Sequence, residues 1–441
     1  MPSQQTKQTW LILSHAFNMD GRAASQTITD KIPHLIDLGV TPIIVSGVLG
    51  KKDSVLEHYQ ILPALPVGLK FDLRHYLKNR IANPLLYQLV MFIIFLIIFP
   101  AYLIEKIIFP IETSWSWSIS AYFLGRKIIK KNRPSLIYST GGAYAAHLAA
   151  YWLSKRYGIP WIAEIHDPMV IESRPAQNVR EKFLAWLEKT ICTHADVVWW
   201  FTEMALARAQ KRHPQLAERG HYVIPGVDAP KFSRPPYHRG EHLVIAHFGS
   251  LSETRNLQSF LDGLRAFIDQ DLKRANQIKL HLYGGSMDTI SAKAIAAFPY
   301  LNVIQNLGRI ETNPVTKESG RTQILKRMNA ADYLLLLHGS EPFCEEYIPS
   351  KLYEYFWTQR PILGLVYRNP QLTNMLRQFG HWSVDTQDSG QITQALEVLY
   401  QHWQQDEIQD SQATSPYTTY RSVQEIYSWA SCLLTSQRNN E

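Results

Sequence analysis

The sequence predicts an α/β fold built from two successive doubly wound parallel-sheet domains, with an apolar insert interrupting the first. Three observations carry that expectation. Short runs rich in Val, Ile and Leu recur along the 441 residues, each followed by a Gly-bearing or polar loop and then a helical pattern. A stretch at 227–241, rich in Pro, Gly and charge, separates two such series and reads as an interdomain linker. The length exceeds what one core usually holds, and 46% hydrophobic residues supply side chains for two large buried sheets.

The first series opens with a strand at 9–17, a turn at 18–21 that carries Gly21, a helix from about Arg22 to Leu38 and a strand at 42–45. It resumes with a strand at 135–140 that runs into Gly141-Gly142 and a helix reaching about Arg156. A strand at 161–165 runs into His166-Asp167-Pro168, and one at 195–201 runs into Thr202. Ligands of open α/β sheets bind beyond the carboxyl ends of the strands, which makes residues at these ends candidates for chemistry. His166 also fits a plain turn cap, and Gly142 a plain helix–strand approach.

The insert at 84–104 is free of charge over 21 residues, enough for a bilayer span of about 20. Glu105 and Lys106 follow at once, Pro100 should kink a helix, and both flanks belong to one domain. A single crossing would split that domain's sheet between two sides of the membrane, so a re-entrant hairpin or an interfacial helix is expected instead. A buried core helix is the ordinary alternative.

The formal charge of +7 is concentrated around this insert. Lys70, Arg74, Lys78 and Arg80 precede it; Arg126, Lys127, Lys130, Lys131 and Arg133 follow. No nucleic-acid motif accompanies them, so the basic flanks read as attraction to anionic headgroups, with Trp115, Trp117 and Tyr122 suited to an interfacial belt. The polar start at 1–10 lacks a secretory pattern, and Cys192, Cys344 and Cys432 are too scattered for a metal or redox pair. The expected place is the cytoplasmic face of a membrane, as a peripheral or monotopic protein.

The second series has strands at 242–249, 278–283, 302–304, 332–339 and 361–366. Between the last two lies the most informative segment. Glu346 and Glu354 bracket Pro349, Ser350 and Lys351, with Pro and Ser where a helix would begin. Free N–H groups of such a start form an anion site. The eight-residue spacing is a little over two turns at about 3.6 residues each, which would bring the carboxylates near one face. Two Glu at this distance also occur on any solvated helix, but the strand–loop–helix–strand setting points to a site. The loop from Gly249 to Asn256 resembles a phosphate-facing turn, with Arg255 entering a helix. The segment 416–437 is amphipathic and helical in pattern.

With these motifs in view, the second half resembles the donor domain of GT-B glycosyltransferases, close to the retaining glycosyltransferase family 4, and the first half resembles their acceptor domain. The resemblance implies two Rossmann-like domains facing across a cleft. They would be residues 1–235, with the insert at 84–110, and 240–412, while a helix at 413–441 crosses back to the first.

By that resemblance Glu346 contacts the donor sugar and the reacting region, and Glu354 the nucleotide ribose. Arg255, Lys351 and the N–H groups at Ser350 hold the diphosphate, beside Gly249. His166 sits between acceptor and donor, and Gly21, Gly141, Gly142 and Asp167 form the acceptor side. Two departures stand out: Arg255 occupies a position that often carries Lys, and Gly21-Arg22 replaces paired glycines.

The implied reaction is retaining hexosyl transfer from a nucleotide-diphosphate sugar to a lipid-linked or membrane-proximal glycan acceptor, in surface polysaccharide or glycolipid assembly. No Asp-x-Asp clamp ends a strand, so neither metal nor cofactor is expected. The alternatives are a catalytically silent GT-B scaffold in a glycan-assembly complex and a sugar-nucleotide epimerase.

Overall fold

The computed structural model describes residues 8–19, 22–78, 80–111, 113–141, 144–172, 174–232, 234–285, 287–408 and 415–438. The chain divides into two units, residues 1–225 with 419–441 and residues 226–418. In the first, the strands are β1 (Gln8–Leu13), β2 (Val40–Ser46), β3 (Glu57–Gln60), β4 (Leu136–Thr140), β5 (Trp161–Ile165), β6 (Val197–Trp200) and β7 (Gly220–Tyr222). They form one parallel sheet in the order β3-β2-β1-β4-β5-β6-β7. Trp10 registers with Pro42 on one side and Leu136 on the other.

Both faces of this sheet are buried, which is why its central strands read as unbroken apolar runs rather than alternating ones. Leu11, Leu13, Ile43, Val45 and Ile137 pack into one core layer. Trp10, Ile12, Ile44 and Tyr138 pack into the other, which is completed by Val423, Ile426 and Ala430 of the helix Thr419–Arg438. Tyr427 of that helix stacks on Trp10 at 6.5 Å, and Trp429 stacks on His221 at 4.4 Å. β1 ends at Leu13, earlier than the expected 9–17, because the Ser14 hydroxyl donates to the Ala16 carbonyl at 3.0 Å and curls the chain. β3 and β7 were not anticipated: both are short edge strands with polar residues and no apolar run.

The insert is a single continuous helix, Pro84–Ile108, and Pro100 does not interrupt it. Asn83 starts it, its side chain accepting from Leu85 N at 2.9 Å and Leu86 N at 3.2 Å, with Pro84 at the first helical position. It is long and apolar enough to cross a bilayer, and its most apolar stretch is not buried in the protein, so the core-helix alternative fails. The hairpin is made with the preceding helix Pro66–Lys78 rather than within the insert itself. The Tyr87 hydroxyl donates to the Arg74 carbonyl at 3.2 Å, and the Val67 amide donates to Glu105 at 2.7 Å, which sets the two helices antiparallel.

The second unit has β8 (Leu243–Phe248), β9 (Ile278–Tyr283), β10 (Ile304–Asn306), β11 (Tyr333–Leu337), β12 (Ile362–Val366) and β13 (Trp382–Asp385). Their order, β10-β9-β8-β11-β12-β13, is the dinucleotide-fold order of the Rossmann type. The direction of winding reverses between β8 and β11, where Leu335 registers with His247. β13 is another half-exposed edge strand that the apolar pattern did not announce.

Residues 227–241 are not a loose tether. The Trp357 indole donates to the Val227 carbonyl at 2.6 Å, Arg234 to the Thr358 carbonyl at 3.0 Å, and the Tyr237 hydroxyl to Asp332 at 2.6 Å. The polar residues that made this stretch look like a linker spend their hydrogen bonds on the second unit.

Candidate functional site

In the second unit the site builds around the point where the winding reverses. Gly249 leaves β8 with φ +150°, a backbone state that side chains rarely adopt. A Cβ on Gly284 would lie 2.2 Å from the Gly249 carbonyl oxygen, so the chain crossing here requires glycine. Residues 252–255 close a tight turn, Arg255 N donating to Ser252 O at 3.0 Å and Ser252 N to Arg255 O at 2.9 Å. This turn is sewn to the loop after β11: Ser340 N donates to Thr254 O at 2.9 Å, and the Thr254 hydroxyl to Glu341 at 2.6 Å.

The guanidinium of Arg255 donates to the Ser250 carbonyl at 3.2 Å, and its charge is felt by His247, His338, Glu341 and Tyr347. Arg255 thus lies on the loop that leaves β8. Burial works to raise Glu341, but bonds from Thr254 and Tyr347 and the charge of Arg255 outweigh it and hold the acid low.

Histidines fasten the same loops. The Tyr367 amide donates to His338 Nδ1 at 3.2 Å, which leaves Nε2 as the donor to the Cys344 carbonyl at 2.9 Å. His247 Nδ1 meets the Leu335 carbonyl at 3.0 Å, and its Nε2 is buried without a hydrogen bond among the described residues. Burial pulls both imidazoles down to about 4, so both are neutral at physiological pH.

Glu346 is buried in a short turn, Cys344–Glu346, and not on the helix with Glu354. Tyr347 is extended, φ −136° and ψ 155°, and Ile348 before Pro349 is disfavoured from helical geometry. The one-face expectation therefore fails. The helix begins at Lys351 and runs to Thr358. Ser350 is already helical, φ −58° and ψ −25°, and makes no side-chain cap, since capping needs an extended backbone at that position. The amides of Ser350 and Lys351 have no acceptor among the described residues.

Tyr355 ties this helix to both central strands. Its hydroxyl receives the Phe248 amide at 3.0 Å and donates to the Leu335 carbonyl at 3.3 Å. Glu354 is buried between Lys351, which pairs with one carboxylate oxygen, and Arg321, whose Nε lies 3.5 Å from the other. Arg321, on the helix Gly320–Asn329, is a second cation that sequence reasoning missed, because no local pattern places it beside Glu354.

In the first unit, Gly141 N donates to the Glu164 carbonyl at 2.9 Å, and a Cβ there would meet the His166 amide nitrogen at 3.0 Å. Gly141 and His166 are therefore adjacent, and Asp167 beyond them is exposed. Gly21 and Gly142 lie outside the described residues. Beneath His166 is an unforeseen buried cluster centred on Glu164. The carboxylate receives Lys31 Nζ at 2.5 Å, His166 Nε2 at 2.7 Å and the Tyr138 hydroxyl.

Burial alone would raise Glu164, but Lys31 and His166 hold it at about 2, so it is ionised. His166 Nε2 also lies 3.1 Å from the Thr140 hydroxyl, which fixes the ring beside Glu164. His15, at the end of β1, makes a similar buried pair with Asp72, Nε2 to Oδ1 at 3.0 Å.

Two Rossmann-like units of this strand order define the GT-B fold of glycosyltransferases. Residues 109–226 match the family described as a glycosyl transferase 4-like domain, a span that contains Gly141, Gly142, His166 and Asp167.

Among solved structures, sucrose-phosphate synthase from Thermosynechococcus elongatus is similar at 13% identity over 98% of both chains, with TM-score 0.57. A variant of S. aureus TarM in complex with fondaparinux, alpha-GlcNAc-glycerol and UDP is similar at 12% identity, over 96% of this chain and 99% of that one, with TM-score 0.59. A Listeria monocytogenes protein described as a UDP-N-acetylglucosamine 2-epimerase is similar at 10% identity, over 96% and 95%, with TM-score 0.50. No curated protein sequence matches the chain. The protein is glycosyltransferase-like in fold, and part of its first unit is similar to the glycosyl transferase 4-like domain.

Proposed function

We propose that the protein is a retaining hexosyltransferase that moves a sugar from a nucleotide diphosphate to a lipid-linked or membrane-proximal acceptor. It would work from the cytoplasmic face of a membrane, in polysaccharide or glycolipid assembly. The observation that carries the reading is Glu354 held between Lys351 and Arg321 on a helix with open amides at Ser350 and Lys351, which Tyr355 ties to β8 and β11, with Arg255 on the loop that leaves β8.

Charge builds on the diphosphate as the glycosidic bond breaks, and fixed cations and N–H dipoles stabilise it without reorganising. In this reading they replace a metal. Glu346 supports the oxocarbenium-like sugar, Glu354 the ribose, and His166 takes the acceptor proton.

Titration calorimetry of the full chain against UDP, GDP and ADP tests the donor site. Binding of at least one is expected, weakened about tenfold by Lys351→Ala, the scale of one charge-assisted hydrogen bond. Glu346→Gln should retain that binding and lose about a hundredfold in turnover. No nucleotide uptake at millimolar concentration, or undiminished turnover in Glu346→Gln, overturns the reading. An epimerase is the second reading, favoured by the likeness to the Listeria protein. It predicts an isomerised nucleotide sugar in the absence of any acceptor, visible by NMR.

A further inference from the structure

The hairpin of helices Pro66–Lys78 and Pro84–Ile108 has a large face that the fold does not use. On the longer helix Tyr87, Met91, Phe95, Ile98, Tyr102 and Glu105 recur every three or four residues and are buried or half-buried. That stripe meets the shorter helix through Tyr87, Phe95, Tyr102 and Glu105. Other positions of the same helix carry Leu85, Leu89, Phe92, Leu96, Ile97 and Ile107, which are 55 to 76% exposed. A continuous apolar surface of this kind marks an interaction site, unlike scattered surface leucines.

Charge on the same hairpin selects the occupant. Arg74, Lys78 and Arg80 are exposed on or just beyond the shorter helix. The Lys70 ammonium sits 3.6 Å from the centroid of the Phe95 ring and 5.0 Å from that of Tyr102. We propose that this hairpin lies flat in the interface of an anionic bilayer, its long helix among the upper acyl chains and its cations level with the headgroups. This deepens the membrane location proposed above and is independent of the sugar chemistry.

The flat orientation follows from where the charges sit. Phe95 is near the middle of the 25-residue helix, so an upright helix would carry Lys70 to the bilayer centre. Glu105, receiving Val67 N at 2.7 Å and the Trp115 indole at 3.1 Å, returns the far end of the helix to the same body as its start. Lying flat, about 37 Å of helix, at 1.5 Å per residue, can submerge its open face by about 5–10 Å with no charge leaving water.

The test is flotation of the full chain with vesicles of phosphatidylcholine alone or with about one-third phosphatidylglycerol, at low and high salt. Stronger partition into the anionic vesicles, weakened by salt, is expected. Each cation near an anionic surface is worth about fivefold, so Arg74→Gln with Lys78→Gln and Arg80→Gln should cut that partition about a hundredfold. Urea midpoints matching wild type would show that these surface variants fold.

Nitroxides on Leu85→Cys, Leu96→Cys and Ile107→Cys, each in a Cys432→Ser background, should report one shallow depth. The proposal is overturned if the triple variant floats like wild type, if the label at 96 sits at the bilayer centre between labels at opposite surfaces, or if the apolar face instead pairs two copies in lipid-free solution and ignores vesicles.

Discussion

Replacing Glu164 by Gln should destabilise the first unit more than any other isosteric change described above. Glu164 is 0% exposed and its partner Lys31 1%, with 2.5 Å between ammonium and carboxylate. The amide keeps the shape and an acceptor for Tyr138 but removes the counter-charge. Lys31 is then left with the Trp199 face, 4.8 Å from its ammonium.

Stripping one partner from a buried pair costs about 3–5 kcal/mol, of which a cation–ring contact offsets about 1. At about 2–4 °C per kcal/mol for a unit of this size, the net loss of about 2–4 kcal/mol should lower the melting temperature by about 4–16 °C in calorimetry of the full chain. Lys31→Met with Glu164→Gln removes both charges and should recover most of the loss.

The acid limb gives a second signature. With its folded pKa held at about 2, below the ordinary 4.5, Glu164 adds stability above pH 4.5 that is lost as pH falls towards 2. The Gln variant should lack that dependence. A melting temperature within about 2 °C of wild type, or a double variant no better than the single, would refute the reasoning.

Two further outcomes concern the second unit. Gly249→Ala meets no clash nearer than His247 at 3.7 Å, so its effect is backbone strain at φ +150°, about 1–2 kcal/mol, seen as a lower urea midpoint; an unchanged midpoint counts against it. His247, His338 and His381 are held neutral by burial at about 4, while unfolded histidines protonate near 6.5. The unfolded chain therefore binds more protons between those values, and stability falls with pH through that window. Three such groups give about 4 kcal/mol per pH unit, so the unit should unfold between pH 6 and 4; equal urea midpoints at pH 7 and 5 contradict this.

The interior strands were legible because burial on both faces writes them as unbroken apolar runs, and β5 and β9 fall where those runs predict. The edge strands β3, β7 and β13 were not, since strands open on one side tolerate the polar residues of Glu57–Gln60 or Gly220–Tyr222. In the site, Glu354, Lys351, Gly249 and Arg255 announce themselves through local turn and helix-start chemistry.

The Glu164 cluster does not. A lone acid inside an apolar strand carries no pattern, and its partner Lys31 is 133 residues away in sequence. Asp72, which pairs with His15, is hidden the same way, 57 residues off. The paired-glutamate geometry was misjudged because spacing alone does not reveal that the chain straightens at Tyr347 ahead of Pro349.

The helix Thr419–Arg438 gives the protein a particular order of assembly. Because Val423, Ile426 and Ala430 close a layer begun by Trp10 and Ile12, the amino-terminal half cannot finish its interior until the ribosome has made the whole of the other half. The body spanning 226–418, continuous in sequence, is free to form first, while the layer that Ile28, Ile32 and Leu35 begin to cover stays open where Val423, Ile426 and Ala430 will pack.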